Sequence, residues 1–389
     1  MEKERKYQQS YVTPCYEINL EQFHKNCDAV MQPFEKAWDG NVAYGYSVKT
    51  NHHEALMRYA ADHLGWYIET VSVNEYEQAR QLVPAERIIF NGPCKQERLL
   101  TVYEQGGILN LDNPTEVEQL CETVRNGAVP SEHTQVGLRI NFDLEAQCPD
   151  ETTAGTEVSR FGICYENGDL KRAIDQLGEA GIAIDGIHLH TSTKTRSTRV
   201  FAALAGMAVK IREEYGLSLS YVDMGGGYFG GQKVTGKPTM EEYAACICGE
   251  LRKGFSPEKT TLILEPGASV IATCVNYISR VIGTRDVRGV RAVTLDGSLL
   301  HINPFMSSRI PSYEWLGDGE RQMEEVQIVS GCTCMENDRF LKLIEKKRIE
   351  TGDVFVFHYA GAYTMAFNSE FILQPPRVYV VNDGTLGKR

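Results

Sequence analysis

The chain reads as an α/β protein: a (β/α)₈ barrel followed by a mostly β C-terminal domain, which the N-terminal strand joins. Three observations carry this reading. Short apolar runs of strand character recur at 41–48, 66–70, 87–90, 108–111, 135–140, 184–190, 219–224 and 260–265. Between most of them the apolar residues take helical spacing, as in Glu75–Leu82, Gln96–Gln105, Pro114–Asn126, Leu170–Ala180, Phe201–Tyr215 and Met240–Leu251. Past Glu265 helices become sparse and strand-like runs take over. Strand–helix alternation calls for a parallel sheet, and eight units in roughly 250 residues match a closed barrel. An open doubly wound sheet is the other architecture the alternation allows.

Taken in order, Tyr11–Ile18 reads as a strand, with Pro14 favouring an edge or a strand start. Asn19 then has the character of an N-cap, with Gln22 three residues on. The barrel is expected over 19–268. A β domain is expected from 1–18 plus 269–389, with strands at Asn276–Ile282, Ala292–Leu295, Glu325–Val329, Asp353–Phe357 and Arg377–Val381 and a short helix at Val270–Val275.

Composition narrows the class of function. The 389 residues are 42% hydrophobic and 24% charged, ordinary for a globular enzyme. A formal charge of −12 argues against nucleic acid or an anionic membrane as partner. No apolar run approaches the roughly 20 residues of a membrane span. The first ten residues lack the apolar core of a signal peptide, so a cytoplasmic location is expected. The 11 cysteines show no zinc spacing, since Cys246/Cys248 and Cys332/Cys334 are separated by single residues; free thiols and no metal are expected.

The C-terminal ends of the runs carry the chemistry. They hold Lys49, Glu69, Asn91, Asp112, Asn141, His188, His190, Gly225–Gly227 and Glu265. In a barrel such ends converge on one face, where an active site forms. Lys49 closes a buried run; a solvated amine is the plainer reading of it alone, but a desolvated lysine can bond an aldehyde. His188 and His190 alternate onto one side of their strand, and an imidazole stacked on a planar cofactor, with the Ser192 and Thr193 hydroxyls nearby, suits an aromatic phosphate better than a metal. Gly225-Gly-Gly227 lets backbone N–H groups approach an anion. Glu265 can keep a pyridine nitrogen protonated. Cys334 can donate a proton, and the Tyr363 phenol can bind a phosphate.

Seven segments in this order resemble the barrel-type (fold type III) pyridoxal-phosphate decarboxylases, the family of diaminopimelate and ornithine decarboxylases. They are Tyr46–Asn51, Ser159–Gly162, His188–Thr193, Asp223–Gly227, Glu265–Gly267, Gly331–Asp338 and Gly361–Tyr363. The resemblance implies pyridoxal 5′-phosphate as cofactor, held by Lys49. It places His190 on the ring, Glu265 at its nitrogen, and Gly225, Gly226, Gly227, Thr193 and Tyr363 around the phosphate. Cys334 then reprotonates the product from the neighbouring subunit, so the resemblance also implies a homodimer with shared active sites.

The substrate end departs from the family pattern. Diaminopimelate decarboxylases carry an arginine where Ala268 stands and a second where Asn303 stands, and ornithine-type enzymes an acidic residue where Met335 stands. Arg160, Met335, Asn303 and Asp338 are the candidate substrate residues, with Lys194, Arg196, Arg199 and Arg309 available to an acidic group. The expected function is decarboxylation of an atypical, conjugated or modified amino acid of the siderophore, polyamine or antibiotic type. A diaminopimelate or other diamino-acid decarboxylase, a racemase, and a non-catalytic homologue are the alternatives.

Overall fold

The computed structural model describes residues 11–153, 157–368 and 370–382. Its chain divides into two units, one spanning Asn26–Val270 and the other formed by residues 11–25 with 271–382.

The first unit is a closed barrel. In chain order after β1 (Cys15–Asn19), its strands are β2 (Val42–Ser47), β3 (Tyr67–Thr70), β4 (Ile88–Phe90), β5 (Gly107–Leu111) and β6 (Thr134–Asn141). They continue through β8 (Gly186–His188), β9 (Tyr221–Asp223) and β10 (Thr261–Leu264), with the two-residue β7 (Ile163–Cys164) attached to β6. All pairings are parallel and run β5-β4-β3-β2-β10-β9-β8-β6. Pairing of Gly107–Leu111 with Thr134–Leu138 joins the two ends of that series, which rules out the open sheet. Ile89, Ile108, Tyr221 and Ile263 pack together as a buried cluster. Tyr221 fits because its neighbours are glycines: a Cβ on Gly137 would lie 2.0 Å from its hydroxyl, and one on Gly186 2.2 Å from its ring.

Helices fall where the apolar spacing placed them, their starts set by side-chain caps. Ser72 accepts from the N–H of Glu75, Asn113 from that of Glu116, and Thr239 with Glu242 completes a capping box. The strand expected at 184–190 is cut to three residues, because Asp185 turns its carboxylate onto the Val136 N–H. The expected helix at 270–275 starts earlier, over Ala268–Ile271, and tightens into a 3₁₀ turn over Ala272–Cys274.

The second unit is a β structure. Its strands are β1, β11 (Val275–Val287), β12 (Val290–Leu295), β13 (Tyr313–Leu316), β14 (Met323–Ser330), β15 (Arg339–Lys347), β16 (Val354–Phe357) and β17 (Arg377–Val381). β1 lies between β11, antiparallel to it, and β17, parallel to it. Cys15, Ile278, Leu316, Val354 and Val356 form its buried centre. β13 and β15 escape sequence reading: the first is four residues long, and the second carries three lysines and a glutamate on its solvent side. Among the described residues no helix is long and apolar enough to cross a membrane.

Candidate active site

The C-terminal ends of the barrel strands bring Lys49, His190, Gly225–Gly227 and Glu265 to one face, as the strand order requires. Lys49 sits in the 3₁₀ turn Val48–Thr50 that follows β2. Its Nζ lies 2.5 Å from Oε2 of Glu69, a carboxylate only 1% exposed on the neighbouring strand. The same oxygen accepts from Ser47 Oγ at 2.7 Å. The amine therefore keeps a partner while its side chain stays 29% exposed.

Glu265 follows β10 and is buried. Its Oε1 accepts from Asn91 Nδ2 at 2.5 Å, and its Oε2 lies 3.5 Å from His188 Nε2. Asp223, buried at the end of β9, gives Oδ1 to the Gly225 N–H at 2.8 Å, while its Oδ2 has no hydrogen-bond partner among the described residues. Burial alone would raise Glu265, but His188 and then Lys49 hold it well below the usual carboxylate range. Burial, and then the Glu265 charge, push Asp223 well above it. The two neighbouring carboxyls are thus pushed in opposite directions. His188, Asp223 and Glu265 each offer an atom within 4.8 Å of the others, a donor set that a cation or a protonated ring nitrogen can use.

The glycine run uses two of its three N–H groups within the protein. Gly226 donates its N–H to Nδ1 of His190 at 3.1 Å, and Gly225 spends its own on Asp223. A Cβ on Gly226 would lie 2.2 Å from the Glu265 carbonyl oxygen, and one on Gly225 2.6 Å from His190. The Gly227 N–H makes no bond among the described residues. Burial first, then Arg139 and Lys49, lower the His190 pKa well below its ordinary value, so the ring is neutral. Thr193 Oγ1 accepts from the Arg196 N–H at 3.0 Å, which leaves its hydroxyl proton free to donate.

Arg139, unmarked in the sequence because it lies inside an apolar strand, is a further member. It is buried, pairs with Asp112 at 2.8 Å, donates to the His190 carbonyl at 3.3 Å, and stands 4.8 Å over the Phe161 ring. Arg160, exposed, covers the same ring at 4.4 Å. Asn141 pins this segment by donating to the carbonyls of Ser159 and Phe161 at 2.8 and 2.6 Å.

The remaining sequence candidates lie in the β unit. Cys334 is an exposed free thiol; Cys332 is half-buried with Sγ 3.3 Å from the Asp296 carbonyl, and burial, then Asp338, push its pKa up. Met335 is half-buried and Tyr363 exposed. Asp338, expected to face substrate, is instead 1% exposed, with Oδ1 on the Leu299 N–H and Oδ2 on the N–H and hydroxyl of Thr333. It holds the cysteine loop in shape. Asn303 likewise spends its amide on Ser307. Arg196 and Arg199, candidates for an acidic substrate group, donate to the carbonyls of Tyr228 and Gln147.

Residues 20–272 match the family described as pyridoxal-dependent decarboxylase, pyridoxal binding domain. The chain is 28% identical, over 97% of its length and 76% of the relative's, to a probable chloroplastic diaminopimelate decarboxylase of Oryza sativa subsp. japonica. Its fold is similar to that of the diaminopimelate decarboxylase of Methanocaldococcus jannaschii, with a TM-score of 0.82 at 23% identity over 97% of this chain and 88% of that one. It is also similar to the arginine decarboxylase of Paramecium bursaria Chlorella virus, with a TM-score of 0.78 at 20% identity over 96% and 97%.

Proposed function

This chain belongs to the pyridoxal-dependent decarboxylases, and within that family we propose that it acts on an amino acid with an atypical, conjugated or modified distal end. It is a carboxy-lyase whose cofactor is pyridoxal 5′-phosphate. The residues fit that group: Glu265 is held anionic for a ring nitrogen, Asp223 Oδ2 lacks a partner, and Lys49 is reachable at the barrel mouth. When bound, the cofactor supplies the ring that takes up the electron pair left by carbon dioxide.

In this reading Lys49 holds the cofactor and the neutral His190 ring lies against its face. Gly227, Thr193 and Tyr363 receive the phosphate, and Cys334 Sγ returns a proton to the product carbon. Cys334 comes from the partner subunit of a homodimer. Phe305, Ile310 and Phe367, large apolar side chains exposed on the β unit, support that association. The setting is cytoplasmic, and no metal takes part.

The distal end carries the substrate proposal. Ala268 offers no charge, the Asn303 amide is satisfied by Ser307, and Met335 is apolar, so none can clamp a carboxylate or an ammonium. Arg160 remains exposed for an anionic group. A second reading, decarboxylation of diaminopimelate, is favoured by the relative from rice. Carbon dioxide release measured across free, diamino and conjugated amino acids separates the two, and strong turnover of diaminopimelate would overturn the first. The purified protein is expected to carry an absorbance band near the visible edge that borohydride abolishes and Lys49→Ala lacks. A colourless protein that takes up no pyridoxal phosphate, or metal recovered in its place, would defeat both.

A further inference from the structure

A chain of buried hydrogen bonds through the barrel interior reaches Glu69 and Glu265. Asn91 Nδ2 donates to Glu265 Oε1 at 2.5 Å and to Glu69 Oε1 at 3.2 Å. Its Oδ1 accepts from Asn110 Nδ2 at 2.8 Å, and Asn110 Oδ1 accepts from the Tyr221 hydroxyl at 2.7 Å. Asn91, Asn110 and Tyr221 are all at most 2% exposed.

The direction of every bond follows from the charges at one end. Two carboxylate oxygens can only accept, so Asn91 must turn its amino group to them. Its oxygen then faces Asn110, which must present its own amino group, and Tyr221 must donate. An amide flipped anywhere in the chain would set oxygen against oxygen. The barrel makes room for the array at some cost, since Gly137 and Gly186 must both lack a side chain for Tyr221 to stand inside it.

We propose that Asn91, oriented through Asn110 and Tyr221, is a positioning residue that fixes the Lys49 counter-ion Glu69 and the ring-facing Glu265 at a set separation and keeps both as acceptors. The proposal rests on Lys49 and Glu265 being the two cofactor contacts. One amide spanning both anions couples the end that bonds the cofactor to the end that holds its ring. Without its two N–H groups the carboxylates compete for protons, and Lys49 loses the fixed orientation of its partner.

The test uses Asn91→Asp, which keeps the shape and replaces the bridging amide with a third carboxyl between the two anions, and Tyr221→Phe, which removes a single hydroxyl. Apoprotein is titrated with pyridoxal phosphate, and the loaded protein's absorbance is followed against pH. Asn91→Asp is expected to weaken cofactor binding roughly 10- to 100-fold, the usual loss for charged hydrogen bonds, and to move the absorbance transition to higher pH. It is also expected to lower kcat more than it raises KM. Tyr221→Phe shifts binding and transition in the same direction by less. Wild-type affinity and an unmoved pH profile in folded Tyr221→Phe would overturn the proposal, as would a change in thermal stability alone. Should Asn91→Asp not fold, Tyr221→Phe decides. Failure of the wild-type apoprotein to bind the cofactor is a separate result, which removes the site reading itself.

Discussion

Gly226 donates its backbone N–H to Nδ1 of His190 across 3.1 Å. An imidazole nitrogen that accepts carries no proton, so the ring's single proton sits on Nε2 and its flat face is uncharged. The contact requires the bare glycine, because a Cβ there would lie 2.2 Å from the Glu265 carbonyl oxygen. Gly226→Ala is therefore expected to cost about 1–3 kcal/mol of stability through overpacking. It should also weaken pyridoxal phosphate binding by about 2- to 10-fold, the factor set by loss of one hydrogen bond of ordinary strength. Thermal melting and cofactor titration of the apoprotein measure the two effects separately.

Cys334 and Cys332 stand two residues apart and differ in surroundings. The first is exposed, while the second has its thiol against the Asp296 carbonyl. Cys334→Ala should lower turnover by about 10²- to 10⁴-fold, the range for loss of a positioned proton donor. It should leave the cofactor band intact and scramble deuterium placement in the product formed in heavy water. Cys332→Ala should do neither. Unchanged turnover and product stereochemistry in Cys334→Ala would remove that thiol from the reaction.

Lys95 is wholly buried, with its ammonium 2.7 Å from Glu116 and 2.6 Å from the Gly92 carbonyl. Burial depresses its pKa, and the Glu116 charge works against that. Removing one partner of such a pair leaves the other charge stranded, so Lys95→Ala is expected to cost about 3–5 kcal/mol. Urea unfolding of variant and wild type gives the difference directly. A loss below about 1 kcal/mol, the scale of an exposed pair, would show that water reaches Glu116.

His301 bears on the pH dependence of stability. It is buried in the β unit, bonded through Nδ1 to the Tyr277 hydroxyl at 2.8 Å, and burial lowers its pKa to about 4. Between that value and the ordinary 6.5, the unfolded chain takes up a proton that the folded one refuses, so stability falls as pH drops through this window. The shift corresponds to about 3 kcal/mol at most. Denaturant midpoints from pH 7.5 down to 4 should show this slope, and His301→Asn should flatten it. A curve equally steep in the variant would assign the slope to other groups.

Much of the candidate site was legible because barrel strands end in polar residues where their apolar runs stop. Lys49, His190, Gly225–Gly227 and Glu265 stand at such ends and were found there. Asn91 and Glu69 were visible as polar strand ends, but nothing in their spacing told that one amide bridges two carboxylates. Arg139 and Asn110 were missed because each is enclosed by apolar neighbours, and Tyr221 because it reads as an ordinary strand aromatic. The signal that could have found Tyr221 is the pair Gly137 and Gly186, small residues on adjacent strands that leave a space only a large side chain fills. Asp338 was misread for the opposite reason. The Gly331–Asp338 segment resembles the family's cysteine loop, yet the Asp338 oxygens are taken by Leu299 and Thr333.

The place of β1 sets an order of events during synthesis. This strand leaves the ribosome first among those described, yet one of its two neighbours, β17, leaves last. Every barrel strand is available before β11 emerges, so that unit can reach its fold while Cys15–Asn19 still has unpaired N–H and C=O groups along both edges. The β unit therefore matures after translation has passed residue 381, and a nascent chain halted before residue 377 would hold a finished barrel beside a sheet with an open seam.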